Sequence, residues 1–448
     1  MIKKDLIVAM ATPQGMAGVS IIRISGENVQ KLFLRLIGVD KLTPRVATVA
    51  KVYDHDQQVI DQGLALYFPA PHSFTGESVL EIHGHGGHIV PNQIVDRCIA
   101  IGCRMAEPGE FSLRALYNQK MDLIQAESIH ELITAQTKAH AKAAMRSMQG
   151  DFSKEIIDIQ SKLTSVRVHL EAMIDFSDED ISPSSEQHQQ IRQIILDIEK
   201  TTSKAEESNE FHRKKTAVFV GSPNVGKSSW FNRIVGEDAA IVTEKAGTTR
   251  DLIRQSIIID SQEVQFIDSA GIRDTDDSIE KEGVRRTESA MQSADIILWV
   301  VSKDNVQNLD AQWRELFDFD FDPKSTLVII NKVDEPITDT RIQTSWKKEP
   351  LLFVSSLKIA DREQIMRRLK DKITKSSPPE FLARERHIVS LKEAHKALKE
   401  ALNRLDESAL VLAAEDLRVS QCALDNLLGT FSNEDLLGEI FGEFCIGK

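Results

Sequence analysis

The stretch Gly221-Ser222-Pro223-Asn224-Val225-Gly226-Lys227-Ser228 decides the fold of this chain. It follows a short β-branched run, Thr216–Val220, and precedes a helical stretch, Ser229–Val235. Strand, glycine loop, lysine, hydroxyl and helix in that order predict a phosphate-binding loop. The glycines let backbone N–H groups approach phosphate oxygens, and the helix N-terminus adds a positive dipole. Lys227 is placed to neutralise the β- and γ-phosphates, and the Ser228 hydroxyl to ligate Mg2+. Glycine supplies 22 of 448 residues. A chance match to the pattern therefore arises in about one such chain in a hundred, so the residues that follow must carry the argument.

Three further elements appear in the required order. Thr248-Thr249 lies in a glycine-containing loop suited to closing over Mg2+, with Thr249 as a ligand. Asp268-Ser269-Ala270-Gly271 ends a strand-like run; Asp268 would hold the metal through water, and the Gly271 N–H would meet the γ-phosphate. Asn331-Lys332-Val333-Asp334 ends another such run. The Asp334 carboxylate can accept two hydrogen bonds from guanine N1 and the 2-amino group. Adenine has no such donor pair, so the predicted nucleotide is GTP. Ser355-Ser356-Leu357 suits a backbone contact to the base. Ras-like enzymes place a water-orienting Gln after the DxxG element, but this chain has Ile272 there. Glu280, Glu282, Arg250 and Arg273 are the nearby polar candidates, and from the residues alone Glu280 reads most simply as a solvated charge.

Around this constellation the chain has distinct textures. Residues 214–374 alternate helices with β-branched runs (Gln255–Ile259, Val264–Ile267, Asp295–Val301, Thr326–Ile330, Leu351–Val354), which predicts a doubly wound α/β G domain. Residues 1–118 mix short β-rich runs (Leu6–Ala11, Val19–Ile24, Gly63–Phe68, Ser78–His83) with Gly and Pro, as in an α/β or α+β domain. Residues 119–213 are poor in Gly and Pro, and Ile156, Ile159, Leu163, Val166 and Leu170 recur on one helix face. Helical texture returns in 375–448, over Glu393–Leu405 and Leu410–Leu428. The expected architecture is multidomain α/β, with the G domain inserted into a helical domain that both flanks build. Two separate helical domains are the alternative.

Composition bounds the rest. The chain is 41% apolar and 27% charged, which excludes overall disorder. A net charge of −13 argues against coating nucleic acid by bulk electrostatics, though a local patch or a partner can supply positive surface. No apolar run is longer than Ile296–Val301, which is far too short to span a bilayer. Cys98, Cys103, Cys422 and Cys445 form neither a disulfide framework nor a zinc pattern. The expectation is a cytoplasmic protein with reduced thiols and no membrane partner.

These motifs together resemble the MnmE (TrmE) family of tRNA-modification GTPases, over the whole chain. The phosphate loop, the segment Thr243-Glu244-Lys245-Ala246-Gly247-Thr248-Thr249-Arg250-Asp251, the segments Gly84-His85-Gly86-Gly87 and Pro108-Gly109-Glu110-Phe111-Ser112, and the terminal Cys445-Ile446-Gly447-Lys448 carry the resemblance. Ser269, where the family usually has Thr, and Lys245, where it often has an apolar residue, depart from the pattern. Both positions are expected to act through backbone.

The resemblance implies a mechanism without the missing Gln. Two G domains would meet face to face with K+ in the site, held by the Asn224 side chain and the carbonyls of Thr243, Lys245 and Thr248. Such a cation stands in for an arginine finger. Glu280 would position the attacking water. The nucleotide would be held by residues 224–229, 243–249 and 268–271, by Asn331, Lys332 and Asp334, and by 355–357. Within these, Val225, Gly226, Ser229, Glu244, Ala246, Gly247, Ser269 and Ala270 contribute mainly backbone. Lys227, Asp268, Arg250, Glu280 and Cys445 are the groups expected to act on the reactions.

The resemblance further implies that 1–118 is a folate-binding domain forming a constitutive homodimer. Arg23, Glu81, Lys120 and Lys448 fall on positions that bind 5-formyl- or 5,10-methylene-tetrahydrofolate. Arg and Lys suit the folate carboxylates, and Glu81 can pair with the pterin donors. With a flavin-dependent partner, GidA (MnmG), in a heterotetramer, the protein would add an aminomethyl or carboxymethylaminomethyl group to C5 of the wobble uridine of certain tRNAs. A ribosome-assembly or signalling switch shares the G-domain motifs, but has no use for the two ends of this chain. His83, His85 and His88 fit a tight loop better than a metal site, since glycines separate them and no Asp or Cys in the loop completes a set. Cys445 reads either as a reactive thiol or as a packed residue.

Overall fold

The computed structural model describes residues 5–175, 185–236, 253–268, 289–316, 325–334, 345–373, 378–429, 434–445 and 447. Their contacts divide the chain into two compact units. The first comprises residues 1–134, 144–205 and 381–448, and the second 135–143 and 206–380.

The first unit opens with six strands: β1 (Ile7–Met10), β2 (Ser20–Gly26), β3 (Thr48–Tyr53), β4 (Val59–Phe68), β5 (Ser78–Gly84) and β6 (Arg104–Met105). They form one sheet in the order β3-β4-β5-β2-β1-β6, antiparallel except for the β1–β6 pair. Side chains alternate across each strand. Ile22 and Ile24 of β2, Leu80 and Ile82 of β5, and Ala65 and Tyr67 of β4 enter a core covered by Phe33, Leu36, Ile94 and Cys98. The intervening Arg23, Glu81 and His83 are left on the opposite face.

Helices Leu123–Thr134, Asp151–Asp175 and Ser185–His212 come next along the chain. The first carries Leu123, Ala126, Ile129 and Ile133 at helical spacing, which predicts a longer helix through Gln136, but it ends at Thr134 and a new helix, Lys138–Met148, follows it. The stripe read from sequence, Ile156 to Leu170, is buried as expected. It shares one core with Leu391, Leu398 and Leu405 of helix Glu385–Asp406 and with Leu417 and Leu424 of helix Leu410–Leu428. Both flanks of the insert thus build a single helical core. Where the chain returns from the insert, Phe381 stacks on Phe152 at 4.3 Å and the Leu382 N–H donates to Ser147 Oγ at 2.7 Å.

One polar node is sealed into this helical layer. Glu127, 2% exposed, accepts both guanidinium arms of Arg386 at 2.7 Å and lies 2.8 Å from His387 Nε2. His387 Nδ1 accepts the Arg384 N–H at 3.0 Å, so the imidazole is neutral and donates through Nε2 to Glu127. Burial pushes the Glu127 carboxyl up, but His387 and Arg386 outweigh it and hold it well below the usual carboxylate range. Burial drives the His387 imidazole down, against the pull of Glu127.

In the second unit, β7 (Lys215–Val220), β8 (Ile253–Ile259), β9 (Gln262–Asp268), β10 (Ile296–Ser302), β11 (Thr326–Asn331) and β14 (Leu352–Phe353) form a six-stranded sheet in the order β14-β11-β10-β7-β9-β8. A two-stranded pair, β12 (Ser345–Trp346) and β13 (Glu349–Pro350), lies outside it. All pairings in the large sheet are parallel except the β8 edge. Every residue of β10 and β11 is buried, as expected for parallel strands covered on both faces. The chain winds to β9 on one side of β7 and to β10 on the other. That reversal opens a crevice beyond the carboxyl ends of the strands, directly after β7, where the phosphate loop begins. The fold is therefore multidomain α/β, with a Ras-like P-loop domain inserted between the two parts of the helical domain.

Candidate GTP site and the outer face of the first sheet

The phosphate loop has the backbone its chemistry needs. Gly221 takes φ 138° and Gly226 takes φ 101°. A Cβ on Gly221 would sit 2.1 Å from the Val300 carbonyl oxygen, and one on Gly226 would sit 2.2 Å from Asn331 Nδ2. Neither position has room for a side chain. Gly226 starts the helix Lys227–Val235, so the first-turn N–H groups and dipole face the loop. Lys227 Nζ reaches back across the loop and donates to the carbonyls of Gly221 and Ser222 at 2.7 and 2.9 Å. Burial draws the Lys227 ammonium pKa down and Asp268 opposes it. Ser228 and Ser229 are exposed at the start of the helix, and Asn224 is exposed at φ 61°. The Ser228 hydroxyl is thus free of the core, as a metal ligand must be. Asp268 is buried at the end of β9.

The base side is built from two loops that brace each other. Asn331, 1% exposed, donates through Nδ2 to the Val225 carbonyl at 2.8 Å and accepts the Ser356 N–H at 3.3 Å. Read from sequence as a nucleotide contact, Asn331 here ties the phosphate loop to the Ser355–Leu357 loop. Ser355 was expected to offer backbone, but its side chain does more. Its hydroxyl donates to Asp334 Oδ1 at 2.6 Å and accepts the Leu357 N–H at 3.2 Å. This orients the exposed Asp334 carboxylate, leaving Oδ2 to face a ligand. Lys332 takes φ 64° between them.

Sequence reasoning missed three supports. Asp361 accepts the Ser355 N–H at 2.7 Å, Arg233 donates to the Ser356 carbonyl, and Arg362 donates to the Arg233 carbonyl at 3.1 Å. None carries a local motif; Arg233 could be suspected only because it follows the phosphate loop on the same helix. Thr243, Glu244, Lys245, Ala246, Gly247, Thr248, Thr249, Arg250, Ser269, Ala270, Gly271, Ile272, Arg273, Glu280, Glu282 and Lys448 lie outside the described residues.

On the first sheet, Arg23 and Glu81 are cross-strand partners of β2 and β5, and Arg23 Nε donates to Glu81 Oε1 at 2.9 Å. The Arg23 guanidinium lies 5.4 Å from the Phe74 ring centre and 5.8 Å from that of Phe111. Lys120 is exposed beside the Gly76 turn, where a Cβ on Gly76 would approach Lys120 Cγ at 3.3 Å. At the chain end, Phe444 is buried and Cys445 exposed. A Cβ on Gly447 would meet the Met10 carbonyl oxygen at 2.3 Å, so the tail packs against the end of β1. Met10 pairs with Ile22, next to Arg23. The structure thus brings Arg23 and Glu81 into direct contact and the tail close to their sheet. His83 is engaged by Glu81 at 3.2 Å and His85 by Asp61 at 2.7 Å. Among the described residues no group of three or more His, Cys, Asp or Glu is placed to hold a metal ion. No helix of the described residues is long and apolar enough to cross a membrane.

Comparison with known proteins gives two family matches that together run over nearly the whole chain. The family described as MnmE helical domain matches residues 123–445, and that described as GTP-binding protein TrmE N-terminus matches residues 6–120. A protein named tRNA modification GTPase MnmE from Coxiella burnetii is 41% identical over 457 aligned positions, covering 99% of each chain. One of the same name from Nitrosomonas europaea is 40% identical and covers 100% of each. Among solved structures, Aquifex aeolicus Era bound to GDP.AlF4- is 23% identical, covers 41% of this chain and 66% of its own, and has a TM-score of 0.28.

Proposed function

The chain belongs to the MnmE family of tRNA modification GTPases, and from that premise we propose the chemistry of its two ends and of its G domain. The protein hydrolyses GTP. With a flavin-dependent partner of the GidA (MnmG) kind it installs an aminomethyl or carboxymethylaminomethyl group on C5 of the wobble uridine of certain tRNAs. A tetrahydrofolate, 5,10-methylene or 5-formyl, supplies the one-carbon unit. The working form is a homodimer within a heterotetramer, in the cytoplasm. We assign residues 1–118 to folate binding and dimerisation, 119–213 and 375–448 to the helical domain, and 214–374 to the G domain.

The observation that supports the guanine-nucleotide part of this reading is the oriented carboxylate of Asp334, held by Ser355 beside a loop that Asn331 locks to the phosphate loop. In the G domain, Lys227 would leave its loop carbonyls for the β- and γ-phosphates, and Ser228 with Thr249 would hold Mg2+. When bound there, Mg2+ and K+ would offset the negative charge that develops on the transferring phosphoryl oxygens. Asn224 is exposed and so free to serve as the side-chain ligand of K+, with the carbonyls of Thr243, Lys245 and Thr248. Glu280 orients water, and Arg250 and Asp268 complete the electrostatics. In the first sheet, Arg23, Lys120 and Lys448 bind folate carboxylates, and Glu81 pairs with the pterin edge. Cys445 is exposed two residues before Gly447, which packs on the end of β1, and we assign its thiol to the reactions.

The test is reconstitution with the flavoprotein partner, unmodified tRNA, GTP and methylene-tetrahydrofolate labelled in its one-carbon unit. Label is expected in the C5 substituent of the wobble uridine. Modified uridine without label would remove the folate assignment, and no modification with active partner would remove the reading as a whole.

A further inference from the structure

Glu81 and His83 leave β5 on the same face, two residues apart. Arg23 Nε donates to one oxygen of Glu81, Oε1, at 2.9 Å, and His83 Nε2 lies 3.2 Å from the other, Oε2. Each oxygen of the carboxylate therefore has one protein partner. A carboxylate oxygen carries two lone pairs, so one remains on each. Two free lone pairs on one carboxylate are what the adjacent ring N–H and amino group of a 2-amino-4-oxopteridine require.

The three side chains are half-buried, at 20% for Arg23, 15% for Glu81 and 26% for His83, so their contacts are partly withdrawn from water. Across the sheet His83 faces Ile21 on β2 and Leu64 on β4, both apolar. The charged groups beside it are Glu81 and, diagonally, Arg23. Arg23 is further steadied by Phe74 and Phe111.

We infer that His83 is a positioning residue of the folate site: it holds the second oxygen of Glu81 so that the carboxylate presents its free edge to the pteridine. This rests on the folate reading above and adds to it a residue that acts through Glu81 and not on the ligand.

The experiment is equilibrium binding of 5-formyltetrahydrofolate to the full-length protein. His83→Ala is expected to weaken binding about tenfold, whereas His83→Gln, which keeps an N–H donor, stays within about threefold of wild type. In Glu81→Gln the Arg23 N–H keeps the amide oxygen at the Oε1 position, so an NH2, which cannot accept, faces His83. Adding His83→Ala to that variant is expected to cost less than about twofold more, since coupled residues do not lose affinity independently. A role in folding alone would give multiplied losses and no rescue by Gln. Wild-type affinity in His83→Ala, or multiplied losses in the double variant, overturns the inference and leaves folate binding standing. Failure of the wild-type protein to bind overturns the folate reading and the inference together.

Discussion

Asp334→Asn is expected to weaken GTP binding by a factor on the order of 10² to 10³ and to shift preference toward xanthosine triphosphate. The carboxylate is the acceptor for the guanine N1–H and 2-amino donors, and hydrogen bonds to an ionised group are worth about 1.5–3 kcal/mol each. Ser355 sets which atom faces the base. Its oxygen accepts the Leu357 N–H, so its O–H donates to Asp334 Oδ1. In the Asn variant that hydroxyl would keep the amide oxygen at the Oδ1 position and turn the NH2 outward. An outward NH2 opposes the guanine 2-amino group, donor against donor, but meets the C2 carbonyl of xanthine. Competition binding of the two triphosphates measures the inversion. Uniform weakening of both would mean that Asp334 holds the loop and does not read the base.

Glu127→Ala is expected to destabilise the helical layer by about 3 kcal/mol, because it leaves the buried His387 and the half-buried Arg386 without their carboxylate acceptor. The four tryptophans, at 230, 299, 313 and 346, all lie in the second unit. Far-ultraviolet circular dichroism in urea should therefore show an early helical transition, while tryptophan fluorescence keeps the wild-type midpoint. Coincident shifts in both probes would mean that the two units unfold as one. The node also sets an acid limit. His387 and Glu127 both bind protons less readily folded than unfolded, so the unfolded chain takes up more protons as pH falls. Stability should decline below about pH 6.5 as the unfolded His387 charges, and again below about pH 4.5 as the unfolded Glu127 is protonated. In Glu127→Ala the second decline should be smaller.

What the sequence disclosed, and what it withheld, follows from how far apart the cooperating residues lie. The phosphate loop and the base-reading segments are local: spacing alone places glycine, lysine and carboxylate. The apolar stripe Ile156–Leu170 was legible for the same reason, since a helix face is written in its period. The ends of elements were less so. The pattern from Leu123 onward reads as one helix, yet helix Leu123–Thr134 stops and Lys138–Met148 begins, which periodicity does not register. Pairings between distant residues left no local trace. Glu127 meets Arg386 and His387 across 259 and 260 positions, and Asn331 meets the Val225 carbonyl across 106. Ser355 was expected to act through backbone because nothing in the sequence shows a hydroxyl within reach of Asp334. Arg23 and Glu81 were named as folate residues by resemblance. Their direct ion pair comes from the β2–β5 register, which the sequence does not state.

The most direct test of the account is the rate of GTP hydrolysis in KCl and in NaCl at equal ionic strength, for the wild-type protein and for Asn224→Ala. The account predicts strong acceleration by K+ in the wild type and none in the variant. Equal wild-type rates in the two salts would contradict it, and would leave a conventional switch that waits for an external activator.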